Sequence, residues 1–150
     1  MNRHIIHADI QHLDLLLPLF EDYRSFYRMP SASEAVRSFL QSRLESRDSV
    51  LMLSMGAGDH PEGFVQLFPS LSSVRLSRHW ILNDLFVTPS ARRRGVGQSL
   101  ISAAIEYVKS TGSASLELAT EKTNRAARSL YESMGWTLDE EFDRYFFIAA

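Results

Sequence analysis

Between an apolar run ending at Val87 and a helical pattern opening at Gly97 lies Thr88-Pro89-Ser90-Ala91-Arg92-Arg93-Arg94-Gly95-Val96-Gly97-Gln98. Glycines between a strand and a helix let the backbone approach a ligand closely. The first amides of a helix lack internal acceptors and sit at its positive dipole end. Three arginines placed there oppose the macrodipole by a few tenths to about 1 kcal/mol each. That arrangement is unfavourable unless an anion is bound, and a pyrophosphate resolves it. A solvated basic loop is the bland alternative. Two nucleotide sites fail: no Gly-Lys dipeptide supports a triphosphate loop, and Leu100 stands where the dinucleotide fingerprint needs a third glycine.

The rest of the chain alternates strand and helix patterns. His4 to Ala8 reads as a short strand, and Asp9 as the N-cap of a helix carrying Leu13, Leu16, Leu17 and Phe20. Pro30 ends that helix. Ser31 with Glu34, or Ser33 alone, caps a second helix with Val36, Phe39, Leu40 and Leu44 inward. Ser49–Met55 and Gly63–Phe68 form a hairpin across a Gly56–Pro61 turn cluster. Pro69–Arg78 reads as a Ser-rich loop, and His79–Val87 as a long apolar strand. Gly97 to about Thr111 is an amphipathic helix stopped by Gly112. A strand over Ser115–Ala119 precedes a helix from Asn124 to Met134. Trp136–Leu138 and Arg144–Ile148 read as closing strands. The order is β-α-α-β-β-β-α-β-α-β-β. It predicts one α/β (α+β) domain over residues 1–150, with a mixed, largely antiparallel sheet and helices on both faces.

Composition narrows the function. At 45% hydrophobic and 23% charged the chain reads as globular. A net charge of −2 disfavours general nucleic-acid binding. The absence of cysteine excludes disulfides, thiolate metal sites and a cysteine nucleophile. No apolar run approaches the roughly 20 residues of a membrane span, and the N-terminus has no secretory apolar region. The expectation is a cytoplasmic domain with no membrane, nucleic-acid or metal partner.

Arg92-Arg93-Arg94-Gly95-Val96-Gly97 fits the pattern Arg/Gln-x-x-Gly-x-Gly/Ala. It resembles the acyl-CoA-binding turn of the GNAT superfamily of N-acetyltransferases. Leu85-Phe86-Val87-Thr88-Pro89 is similar to that family's strand-to-turn entry. Asn124 through Trp136 resembles its Asn-x-x-Ala-x-x-x-Tyr-x-x-x-Gly-Phe/Trp helix. The resemblance implies acetyl-CoA as cosubstrate. It implies a pantetheine arm on the backbone of Leu85, Phe86 and Val87, between strands that splay apart. It implies a pyrophosphate on the amides of Arg93, Arg94, Gly95, Val96, Gly97 and Gln98, with Arg92 at the family's leading position. Arg93 and Arg94 reach either the pyrophosphate or the ribose phosphate, or are solvated.

Asn124 and Tyr131 are seven residues apart, nearly on one helix face and roughly 10 Å apart. Asn124 resembles the family residue that bonds the cofactor arm, or is simply an N-cap. Tyr131 resembles the tyrosine that meets the thioester sulfur; the plain alternative is a core aromatic. The implied chemistry is direct transfer to a primary amine of a small molecule or peptide, without a covalent enzyme intermediate. A catalytically silent acyl-CoA-binding module is the competing reading, and a homodimer is compatible with either.

Asn83 and Asp84 interrupt an apolar strand, which is costly unless they are bonded or functional. Alternation points them to opposite faces. Asp84 is the candidate to bind the ammonium and relay its proton, against a structural carboxylate. Tyr23, Phe26 and Tyr27 lie where the family places one acceptor wall, with Asn83 beside them. Glu21 reads as part of a solvated acidic face.

Overall fold

The computed structural model describes residues 3–150. The chain divides into two compact units, one running to Ala119 and one from Thr120 to Ala150.

Among the described residues the first unit carries five strands and three α-helices. They are β1 (His4–His7), α1 (Leu13–Phe26), α2 (Ser33–Ser46), β2 (Val50–Gly56), β3 (His60–Ser72), β4 (Ser77–Val87), α3 (Val96–Ser110) and β5 (Ser115–Leu118). The sheet order is β1-β2-β3-β4-β5, antiparallel except for the parallel β4–β5 pair that the α3 crossover requires. Leu13, Leu16, Leu19 and Phe20 of α1 and Val36, Leu40 and Leu44 of α2 pack with Leu51, Leu53, Met55, Phe64 and Phe86 on one sheet face. Val96, Leu100, Ile101, Ala104 and Val108 form the buried stripe of α3, which packs on the sheet.

Local signals act as expected at several boundaries. The Asp9 carboxylate accepts from the Gln11 amide at 2.9 Å. A short 3-10 turn over Ile10–His12 then leads into α1, which passes through Pro18. The start of α2 differs from expectation. Neither Ser31 nor Ser33 caps it. Ser31 instead donates to the Glu21 carboxylate at 2.7 Å, and the Ala32 amide reaches the same group at 3.4 Å. Glu21 is thus a brace for the α1–α2 connection rather than a solvated charge.

The Pro69–Arg78 segment, expected as a Ser-rich loop, is mostly sheet. β3 and β4 pair out to Ser72↔Ser77, so only the four residues between them turn. Serines tolerate strand geometry once a partner strand supplies the hydrogen bonds.

At Gly63 the two strands come very close. A Cβ there would lie 2.6 Å from the Phe86 carbonyl oxygen and 3.3 Å from Val87 Cα. Gly63→Ala should therefore displace the end of β4 and cost about 1–3 kcal/mol, as overpacking does. Urea denaturation of the variant measures it, and an unchanged midpoint would mean the strand backbone yields freely.

In the second unit, α4 (Arg125–Ser133) is capped by Asn124, whose side chain accepts from the Ala127 amide at 3.2 Å. Gly135 follows at φ +91°, the left-handed conformation that closes a helix. The expected strands Trp136–Leu138 and Arg144–Ile148 do not form. Within this unit no second strand is present to supply ladder partners, and an unpaired extended segment is not a strand. Tyr145, Phe146, Phe147 and Ile148 stand exposed. Among the described residues no helix is long and apolar enough to cross a membrane.

Candidate active site

The β4–β5 ladder ends at Leu82↔Leu118, while β4 continues to Val87. β5 itself ends there, and among the described residues Asp84 to Val87 pair in the sheet with β3 alone. The polypeptide then passes through a 3-10 turn over Pro89–Ala91 into the exposed residues Arg92 to Gly95 and on to α3. Ala91 and Val96, both buried, anchor the two ends of this turn.

Two residues in the turn are left-handed, Arg93 at φ +63° and Gly95 at φ +81°. No side chain caps α3. Its ladder starts with the Ser99 amide donating to the Gly95 carbonyl at 3.0 Å. The amides of Val96, Gly97 and Gln98 therefore have no acceptor within the helix, the arrangement that receives an anion. Arg3 pins the turn from outside: its Nε meets Glu62 Oε2 at 2.7 Å, and its Nη1 donates to the Arg94 carbonyl at 3.0 Å.

The arginines divide. Arg92 Nε donates to the Val87 carbonyl at 3.0 Å, and its guanidinium lies 5.6 Å from the ring centroids of both Phe26 and Phe86. Its side chain thus ties the end of β4 to the end of α1. Arg93 and Arg94 are exposed on the turn.

Expected acceptor residues gather at this end of β4. Tyr23 packs edge-on against Tyr27 at 5.3 Å, Phe64 at 5.5 Å and Phe86 at 5.9 Å. Phe26 meets Tyr27 at 5.2 Å. The Tyr23 hydroxyl donates to Asp84 Oδ1 at 3.0 Å. Asp84 is buried, and its other oxygen accepts from Gln66 Nε2 at 2.7 Å and Asn83 Nδ2 at 3.0 Å.

Simple alternation along β4 misplaces Asn83 and Asp84. Gln66 pairs with Asp84 but Leu67 with Leu82, so Asn83 is an extra residue, a β-bulge. The bulge reverses which face is buried. Leu82 shares a face with Leu67, whereas Asp84 shares one with Gln66, on the α1 side. It also lets the Asn83 amide curl onto its neighbour's carboxylate instead of pointing away.

Gln66 was missed in the sequence, although a glutamine inside Gly63-Phe64-Val65-Gln66-Leu67-Phe68 carries the same signal that marked Asp84. It is 1% exposed. Both ring nitrogens of His79 are engaged: Nδ1 lies 2.6 Å from Ser115 Oγ and Nε2 3.1 Å from Glu117.

In the second unit, Tyr131 and Trp136 stack obliquely at 5.8 Å, and the Trp136 amide donates to the Tyr131 carbonyl. Among the described residues no three His, Asp or Glu side chains assemble as a metal site.

A strand that outruns its parallel neighbour and leads through a turn into an uncapped helix N-terminus is an arrangement that can receive an anion. The sequence pattern described as "Acetyltransferase (GNAT) family" matches residues 16–136, and the chain belongs to that family. It is 46% identical to the "Uncharacterized N-acetyltransferase YhfO" of Bacillus subtilis, covering 87% of each chain. It is 36% identical to a "Probable acetyltransferase" of Haemophilus influenzae, covering 88% of each. A solved structure titled "Crystal structure of a probable acetyltransferase" superposes with a TM-score of 0.93 at 40% identity, covering 98% of both chains. The protein is an acyltransferase of a family that uses acetyl-CoA as cosubstrate.

Proposed function

We propose that the protein transfers the acetyl group of acetyl-CoA directly to a primary amine, of a small molecule or a peptide, within a ternary complex. The observation that carries this reading is Asp84. It is a buried carboxylate whose donors, Tyr23, Gln66 and Asn83, are all neutral. A buried charge without a counter-charge is costly, and a cationic amine arriving beside the Tyr23, Phe26 and Tyr27 rings supplies one.

The uncapped amides of Val96, Gly97 and Gln98 support binding of the pyrophosphate, with those of Arg93, Arg94 and Gly95 alongside. Arg93 and Arg94 add positive charge. The backbone of Leu85, Phe86 and Val87 holds the pantetheine arm where β4 has no β5 partner. Asn124 already serves as a cap, and its family role on the cofactor arm would be added to that.

In the reaction the amine must first shed a proton, since an alkylammonium ordinarily titrates near 10.4. Asp84 takes it, directly or through water. The amine nitrogen then attacks the thioester carbon. An amide at Phe86 or Val87 donates to the developing oxyanion. The C–S bond breaks, Tyr131 protonates the departing thiolate, and the excess proton on the nitrogen passes through water to restore the Tyr131 phenol. No enzyme nucleophile is required, and a chain without cysteine suits a reducing cytoplasm.

Asp84→Asn keeps the size of the side chain and removes its charge and basicity. It should lower kcat/KM for the amine roughly 10–100-fold, the worth of a hydrogen bond to a charged group. The CoA-induced rise in melting temperature should stay nearly unchanged. Normal kinetics per folded molecule with a lowered melting temperature would make Asp84 structural.

A further inference from the structure

We propose that Gln66 is the residue that positions Asp84 for the acceptor amine, and that Ser49 fixes the orientation of Gln66. The inference rests on the acceptor reading of Asp84 given above. Ser49 stands just before β2, Gln66 on β3 and Asp84 on β4, so the chain of contacts runs across the sheet. The Ser49 hydroxyl donates to Gln66 Oε1 at 2.8 Å. That contact turns the amide so that Nε2, and not the oxygen, faces Asp84 Oδ2 at 2.7 Å. A reversed amide would bring oxygen against carboxylate. Gln66 is buried too deeply for solvent to offer its amide another partner.

The consequence lies in what remains of the carboxylate. Its two oxygens offer about four acceptor positions. Gln66 and Asn83 take two on Oδ2, and Tyr23 takes one on Oδ1. The position left is on Oδ1, the oxygen that the Tyr23 hydroxyl meets. Gln66 holds Oδ2 and so keeps Oδ1 presented to the incoming nitrogen. Rotation of the carboxylate would exchange the two oxygens and direct the loaded one at the amine. Asn83 cannot do this alone, because its side chain is at the exposed bulge, whereas Gln66 is enclosed.

The test is a double-mutant cycle on the whole chain, assayed with whichever primary amine supports turnover. Gln66→Met keeps the length and volume and removes the donor. It should lower kcat/KM for the amine about tenfold, the scale of a misaligned reacting group, with KM for acetyl-CoA unchanged. In an Asp84→Asn background the same substitution should cost nothing further, since Gln66 acts through Asp84. Ser49→Ala, at a half-buried position, should give a smaller loss of the same kind, and it carries the comparison if Gln66→Met folds poorly. A Gln66→Met loss that persists in full in the Asp84→Asn background would overturn the positioning role. So would normal amine kinetics in both Gln66→Met and Ser49→Ala while Asp84→Asn is impaired, and the acceptor reading would then stand alone. Normal kinetics in Asp84→Asn would overturn that reading itself.

Discussion

Replacing Tyr131 by phenylalanine should lower kcat by roughly 10²–10⁴-fold, the usual cost of losing a general acid, and should leave CoA binding close to that of the parent. The substitution removes one oxygen. The ring contact with Trp136 at 5.8 Å and the bond from the Trp136 amide to the Tyr131 carbonyl involve the ring and the backbone, so both survive. The local end of α4 is therefore expected to stay in place. A phenol ordinarily titrates near 10 and a thiol near 8.5. Proton transfer from tyrosine to a fully formed thiolate is thus slightly uphill, and the proton must move as the C–S bond breaks. Single-turnover rates with saturating acetyl-CoA separate this step from binding. Parent-like turnover in Tyr131→Phe would assign the protonation to water.

The second large effect belongs to the turn. Gly95 sits at φ +81°, where a side chain is strained by about 1–2 kcal/mol, yet a Cβ there would meet nothing within 4 Å. Gly95→Ala thus tests backbone strain alone, and Gly95→Glu adds a carboxylate next to the amides of Val96, Gly97 and Gln98. A ligand at a hundred times its Kd stabilises the native state by about 2.7 kcal/mol. That gain should survive in part in Gly95→Ala and vanish in Gly95→Glu. An undiminished CoA shift in Gly95→Glu would remove the turn from the cofactor site.

These effects rest on features of unequal visibility in the sequence. The turn was legible because its evidence is local: Arg92 to Gly97, the apolar strand before it and the α3 stripe after it are contiguous. The Asn124 cap was legible for the same reason. What escaped is what depends on strand pairing. Nothing near Asn83 announces a bulge, because the extra residue is defined only by its partners Gln66 and Leu67. Regular alternation of buried residues at Trp80, Leu82, Asp84 and Phe86 even conceals the change of face. The bond from Tyr23 to Asp84 spans 61 residues, and Ser49 to Gln66 to Asp84 links three separate segments. Arg92 illustrates the opposite limit. Its motif position was readable, but the bond to Val87 and the packing on Phe26 and Phe86 follow from where α1 ends. The Tyr145–Ile148 run has strand-forming residues without a periodic face, and within its own unit it finds no strand to pair with.

The most direct test of acetyl transfer to an amine is a coupled reading of both products. The protein is incubated with acetyl-CoA and a panel of polyamines, amino acids, aminoglycosides and peptides with free N-termini. Released thiol and acetylated amine are quantified in the same samples. The account predicts amine-dependent thiol release with at least one member of the panel, matched mole for mole by N-acetylated product. Stabilisation by CoA with no amine-dependent release across the whole panel would contradict it and leave the behaviour of a silent acyl-CoA-binding module.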